Sequence, residues 1–148
     1  MILGVLALGL ILATAPAEAP KAEAVTLSGT VVELPAALKA LGLKADTEPI
    51  AGQVVLKGDD GTITPLLPDE ASRAFFKDPQ LRDRRAEIKG RRLAGLPYLQ
   101  VTSFKVEHEG KLRTPEYYCD VCTISERYPQ TCPCCQGPMV LRMRPESD

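Results

Sequence analysis

The chain has no tryptophan, a single histidine, three phenylalanines and four tyrosines. With His108 as its only imidazole, set between Glu107 and Glu109, it offers no nucleophile–histidine–acid set for covalent hydrolysis. His108 reads as an exposed turn residue. A glycine-rich phosphate loop is also missing, since Gly58-Asp59-Asp60-Gly61 has the composition of a hairpin turn. Charge of either sign is not in excess: 18 Lys and Arg stand against 19 Asp and Glu. No long-range field therefore draws in nucleic acid or an anionic membrane. Internal repeats, low-complexity tracts and heptads are absent, and so few aromatics leave little on which to stack single-stranded bases.

Long apolar runs are equally scarce, with one exception. Met1 to Leu12 is almost wholly apolar and is followed by small residues. That run is too short to cross a bilayer comfortably and suits the apolar region of a secretory signal. Small-x-small sites end at Ala19 and Ala24, and Pro20 disfavours the first. Residues 1–24 are thus expected to be a signal peptide, and the mature protein to be periplasmic or extracellular, with no stable membrane span. An uncleaved amino-terminal anchor is the alternative.

What the chain does have is concentrated near its end. All five cysteines lie between Cys119 and Cys135. Cys119-Asp120-Val121-Cys122 and Cys132-Pro133-Cys134-Cys135 stand nine residues apart. In each tight turn both outer sulfurs point the same way, and two such knuckles supply the four corners that Zn²⁺ prefers. Disulfides compete with this reading, because an exported protein meets an oxidising compartment. Four cysteines allow three pairings, with a fifth thiol left over. The odd count and the paired spacing favour four ligands and a bystander.

Cys132-Pro133-Cys134-Cys135-Gln136-Gly137 resembles the Cys-Pro-x-Cys-Gly turn of zinc ribbons and rubredoxins, over residues 114–148. The resemblance implies Cys119, Cys122, Cys132 and Cys135 as ligands, zinc as the ion with iron as the alternative, and Cys134 as the spare. Thr123 and Gln136 occupy positions where the family carries glycine, and Gly137 comes one residue late. Rubredoxin iron depends on N–H···S bonds that those glycines permit, whereas a structural zinc needs only four thiolates. Tyr117 and Tyr118 are expected to shield the sulfurs. Met139 and Met143 are expected to pack the ribbon on its neighbour rather than to join Cys134 in a soft copper site. Loss of the metal is expected to unfold the segment after Pro115 and spare the rest.

Between these ends the pattern is alternation. Val25, Leu27, Gly29 and Val31 share a face before the apolar phase moves to Val32 and Leu34, which predicts a bulge at Gly29. Further strands are expected over 53–57, 62–67, 84–93 and 98–108, with Pro65 at an edge and a second bulge where the phase shifts between Val101 and Phe104. Ala36 to Leu41 can form a helical turn or two, and a short helix follows Pro68 with Asp69 as its cap. Five strands with a helix between the third and fourth resemble the OB-fold. The resemblance rests on Ser28-Gly29-Thr30-Val31-Val32, the Gly58–Gly61 hairpin and Glu87-Ile88-Lys89-Gly90-Arg91. The expected fold is therefore mainly β: a small OB-like antiparallel barrel with one short helix over 25–113 and a zinc ribbon over 114–148.

Residues 82–92 hold the one basic cluster. Arg85, Lys89 and Arg91 alternate with Ala86, Ile88 and Gly90, so they form a possible ligand-binding face, set against the plain reading of a solvated strand face. The expected function is that of an exported, non-catalytic metal-binding protein whose barrel meets a protein or small ligand of the cell envelope. Rubredoxin-like electron transfer or thiol redox chemistry is the alternative. Single-stranded nucleic-acid binding is a third reading, which export disfavours.

Overall fold

Val25, Leu27, Gly29 and Val31 keep one face of the first strand turned inward, and that strand carries the sheet built around it. The computed structural model describes residues 21–145. The expected signal peptide falls almost wholly on residues 1–20, outside the described residues. Strand β1 (Ala22–Glu33) runs antiparallel to β4 (Arg85–Leu93) through residues 22–30 and to β2 (Val54–Gly58) through residues 29–33. With β3 (Ile63–Pro65), β5 (Leu99–His108) and β6 (Lys111–Arg113) the sheet order is β3-β2-β1-β4-β5-β6. A parallel bridge joins Leu66 to Leu99, and the Leu67 N–H donates to the Leu99 carbonyl at 2.9 Å. The flank beyond β3 thereby meets β5, and the sheet curls back on itself around one core.

The expected succession, five strands with a helix between the third and fourth, is present, and β6 adds to it. Pro65 lies on an edge strand, where its missing N–H costs no ladder bond. Helix α1 (Leu34–Ala40) has proline in its first turn and follows β1 directly. Helix α2 (Arg73–Lys77) begins later than expected. Asp69 Oδ1 accepts from the Ser72 N–H at 3.2 Å, so Asp69 closes the turn ahead of the helix instead of capping it. Phe75 from α2 is fully buried, and its ring lies 4.2 Å from that of Phe104 across the core.

Of the two expected bulges, one is present. Lys89 pairs with Ser103 but Gly90 pairs with Val101, leaving Thr102 as the extra residue. Its hydroxyl donates to the Lys89 carbonyl at 3.0 Å. No such shift interrupts β1: its inner face runs unbroken to Val31, which is fully buried. Val32 and Leu34 are half-buried where the chain turns into α1, and that imitates a phase change in the sequence. Gly29 serves close approach instead. A Cβ there would stand 2.2 Å from the Lys57 carbonyl oxygen, a clash with backbone that cannot move aside.

The second sheet has the order β8-β7-β9, from β7 (Pro115–Cys119), β8 (Ile124–Glu126) and β9 (Val140–Met143). It packs on the first sheet: Tyr117 is 2 % exposed within the same apolar cluster as Phe75 and Leu99, and Tyr128, Met139, Leu141 and Met143 pack around it. The Tyr117 hydroxyl donates to Asp78 Oδ2 at 2.6 Å, while Asp78 Oδ1 accepts from the Gln80 N–H at 2.9 Å. Tyr117 therefore faces the barrel and not the sulfurs. Tyr118 lies under the Arg142 guanidinium, 3.2 Å from the ring centre. Tyr128 is covered by Arg73 at 4.6 Å and Lys77 at 5.5 Å, both from α2.

Glu116, its side chain 6 % exposed, accepts from Arg142 and Arg144 on the neighbouring strand and the residues beyond it, at 2.8 and 3.1 Å. Burial alone would raise its carboxyl. The two arginines and the Ser125 hydroxyl outweigh that and hold it below the ordinary carboxylate range. A lowered folded-state value means that its contribution is in place above the usual carboxylate range and drains away as pH falls through the folded value. Glu116→Gln is expected to lower stability at neutral pH by about 1–3 kcal/mol, the arginines being partly solvated. In denaturant titrations the deficit should shrink as pH falls through the lowered folded-state value. Among the described residues, no helix is long and apolar enough to cross a membrane.

Candidate metal centre

Two knuckles of the same construction form the tip of the second sheet. β7 ends at Cys119, and the chain turns so that the Thr123 N–H donates to the Cys119 carbonyl at 2.8 Å. In the second knuckle the Gln136 N–H donates to the Cys132 carbonyl at 2.9 Å, and the Cys132 N–H to the Gly137 carbonyl at 2.9 Å. Each turn is closed from residue i+4 to residue i, and each closing residue is left-handed: φ is +55° at Thr123 and +59° at Gln136. These are the positions where the resembling families carry glycine. The departure seen in the sequence is thus one of side chain only, and the backbone adopts the glycine conformation regardless.

That conformation costs an ordinary residue roughly 1–2 kcal/mol, offset in part by the extra freedom glycine has when unfolded. Thr123→Gly and Gln136→Gly are each expected to stabilise the protein, by about 0.5–1 kcal/mol. The larger gain is expected at β-branched Thr123, read as a shift in thermal midpoint of the metal-loaded protein. Gly137 has a different task. A Cβ there would meet Cys135 Sγ at 3.3 Å, so the late glycine gives the sulfur room.

The sulfurs of Cys119, Cys122, Cys132 and Cys135 all lie within 4.8 Å of one another, with Cys119 and Cys135 at 3.5 Å. Thiolates about 2.3 Å from a tetrahedral Zn²⁺ would be about 3.8 Å apart, so the donor set fits one ion. Cys132 and Cys119 are buried, at 0 and 2 % exposure, Cys122 is half-buried and Cys135 exposed. One side of the site rests on the protein and the other faces water. All five sulfurs are free of disulfide bonds.

Backbone dipoles and crowding set the electrostatics. The N–H groups of Cys135 and Cys134 hold the Cys132 thiol down at about 7, against burial. The Cys122 N–H draws Cys119 down too, but burial and the Cys135 and Cys132 thiols outweigh it and leave Cys119 raised. The Cys134 thiol first, then Cys135, push Cys122 up. Four sulfurs this close cannot all ionise unless a cation sits among them. Four thiolates would close the sphere of a tetrahedral ion and leave no place for water or substrate. Cys134 is exposed beside Cys122 and outside the set of four.

The basic residues picked from the sequence do not converge. They alternate outward as expected, yet the Arg85 guanidinium is taken up by Asp59, at 3.2 and 2.9 Å. Arg91 is exposed six residues further along β4, about 20 Å away at strand rise. Lys89 lines a cleft between the two sheets, while Arg85 borders a separate, more open hollow with Asp83 and Glu107. His108 is exposed with Nε2 3.9 Å from Glu109 Oε1, and it is the last residue of β5, paired with Lys111, just ahead of the turn where it was expected. Met139 and Met143 pack against the apolar cluster. The Tyr117–Asp78 bond and the Glu116 ion pairs left no mark in the sequence beyond a strand pattern in which Pro115, Tyr117 and Cys119 share a face. No protein-family model, curated protein or solved structure matches this chain.

Proposed function

We propose that the protein is exported to the cell envelope, that Cys119, Cys122, Cys132 and Cys135 hold a structural zinc in a ribbon, and that the OB-like barrel acts as a binding module. The observation that carries this is the convergence of four sulfurs within 4.8 Å. With all four positions filled by thiolate the ion supplies a cross-link and no chemistry on a substrate. Elemental analysis of purified protein, read with thiol alkylation before and after denaturation, tests it. One zinc per chain is expected, with Cys134 reacting first and four cysteines protected until unfolding. Metal-free protein with those sulfurs bridged to each other would sink the idea.

A second reading has its own support. Paired N–H groups reach the sulfurs of Cys119 and Cys132, the arrangement that tunes a four-thiolate iron centre. Rubredoxin-like electron transfer would show as a red protein with visible absorbance that bleaches on reduction. Export rests on the apolar segment Met1 to Leu12. Because Ala22, Glu23 and Ala24 are laddered to Leu93, Arg92 and Arg91, cleavage after Ala19 keeps β1 whole where cleavage after Ala24 would not. Mass spectrometry of the secreted chain distinguishes the two.

A further inference from the structure

A cleft with a volume of ≈ 400 Å³ lies where β8 meets the β4–β5 hairpin. One wall is the outward face of the barrel, where the register sets Glu87 opposite Lys105 and Lys89 opposite Ser103. The other wall comes from Ser125, Glu126 and Arg127 on and just after β8, with Arg144 beyond β9. Phe104 and Pro115 give it an apolar patch. Four cations and two carboxylates line the space, in a chain whose net charge is −1.

The cations are poorly compensated. Lys89 and Lys105 form no ion pair among the described residues. Arg127 gives one nitrogen to the Thr102 carbonyl at 2.9 Å, and Arg144 gives Nε to Glu116 at 3.1 Å. Their other N–H groups stay available. Elsewhere on the same strand Arg85 is spent on Asp59, whereas Lys89 brings its charge to this cleft. Like charges gathered by the backbone repel, and an oxyanion between them turns that repulsion into charge-assisted hydrogen bonds. Hydroxyls and two carboxylates in the same walls suit partners that are themselves rich in hydroxyl groups. The volume falls within the range of small-molecule sites, about 300–1,000 Å³.

From this we infer that the cleft binds a small polyhydroxylated oxyanion of the phosphosugar class. Lys89, Lys105 and Arg127 surround the anionic group, and Glu87 and Glu126 accept from ligand hydroxyls. The inference rests on the reading of the barrel as a binding module and does not depend on which metal the cysteines hold.

The test is a titration of the purified, metal-loaded chain with glucose 6-phosphate, followed by calorimetry and amide chemical shifts. Inorganic phosphate, glucuronate, glucose and a single-stranded oligonucleotide run in parallel. Saturable binding of glucose 6-phosphate is expected, with shifts centred on Lys89, Ser103, Lys105, Ser125 and Arg127. The double variant K89Q/K105Q, changed at two exposed positions, should bind about tenfold more weakly or worse at an unaltered thermal midpoint. R91Q, on the same strand but outside the cleft, should bind as the parent does. Equal affinity for inorganic phosphate or glucuronate would overturn the phosphosugar assignment, and preference for the oligonucleotide would overturn it in favour of nucleic acid. No saturable binding up to about 10 mM, or binding indifferent to K89Q/K105Q, would remove the site altogether. Zinc is assayed on the same sample. Missing zinc with intact binding would count against the metal centre alone, and intact zinc without binding against the cleft alone.

Discussion

Chelation of the metal proposed for the four cysteines, or the substitution Cys132→Ser, is expected to unfold the segment from residue 114 onward and to weaken the barrel with it. A four-thiolate zinc contributes on the order of 10 kcal/mol to the folded state, comparable with the whole net stability of a small domain, about 5–15 kcal/mol. Cys132 is fully buried, so serine there loses a ligand and sets a hydroxyl without ligand chemistry in its place. From the sequence alone, metal loss was expected to spare the barrel. The packing argues otherwise, because Tyr117 belongs to the same apolar cluster as Phe75 and Leu99, and Met139, Leu141 and Met143 pack against it. Once the ribbon frays, that side of the cluster is open to water, at about 25 cal/mol per Å² of apolar surface. Hydrogen exchange with and without chelator should show lost protection in β7–β9 and a lower thermal midpoint for β1–β5. Cys134→Ser is the control and should change neither. Unaltered protection throughout the ribbon after complete metal removal would show that the ion has no structural role.

Tyr117→Ala should cost about 3–5 kcal/mol, the range for deleting a buried aromatic side chain. The ring is 2 % exposed at the seam of the two sheets. Its hydroxyl is the partner of Asp78 Oδ2 at 2.6 Å, and Asp78 is itself buried. Tyr117→Phe keeps the ring and removes only that bond, which leaves a buried carboxylate oxygen short of a donor, at about 1–3 kcal/mol. Burial and the neighbouring Asp78 push the tyrosine hydroxyl well above its usual range, which favours the protonated form that donates to Asp78. A double-mutant cycle with Asp78→Asn isolates the bond from the packing. Urea titrations that place Tyr117→Phe within experimental error of the parent would refute the role of the hydrogen bond. Loss of stability in Tyr117→Ala confined to the ribbon, with barrel protection unchanged, would refute the role of the seam.

The two sheets differ in how openly their residues declare them. Strand alternation in β1, β4 and β5 follows from burying one face of a pleated strand, and it is written in residues two apart. A bulge between Val101 and Phe104 could be placed because an inserted residue shifts the apolar phase downstream of itself, and the register assigns it to Thr102. The same signature at Val32 misled, since a strand running into a helix also half-buries the residues at its end. Gly29 was visible as a glycine, but the carbonyl it makes room for belongs to Lys57 on another strand. Likewise Thr123 and Gln136 read as departures from a glycine rule. Only the hydrogen bonds to Cys119 and Cys132 reveal that both comply with it in backbone.

By itself the sequence determined which sulfurs meet. Ligand spacing within a knuckle is a local property, and nine intervening residues can only form a short return. It also determined the succession of strands, turns and a helix along the chain, though not their order across the sheet. Tertiary structure alone decided what the ribbon rests on, that Arg85 is neutralised by Asp59, and that Lys89 and Lys105 share a cleft with Arg127. Those relations join residues tens of positions apart, through side chains whose partners depend on how two sheets pack and not on neighbours in the chain.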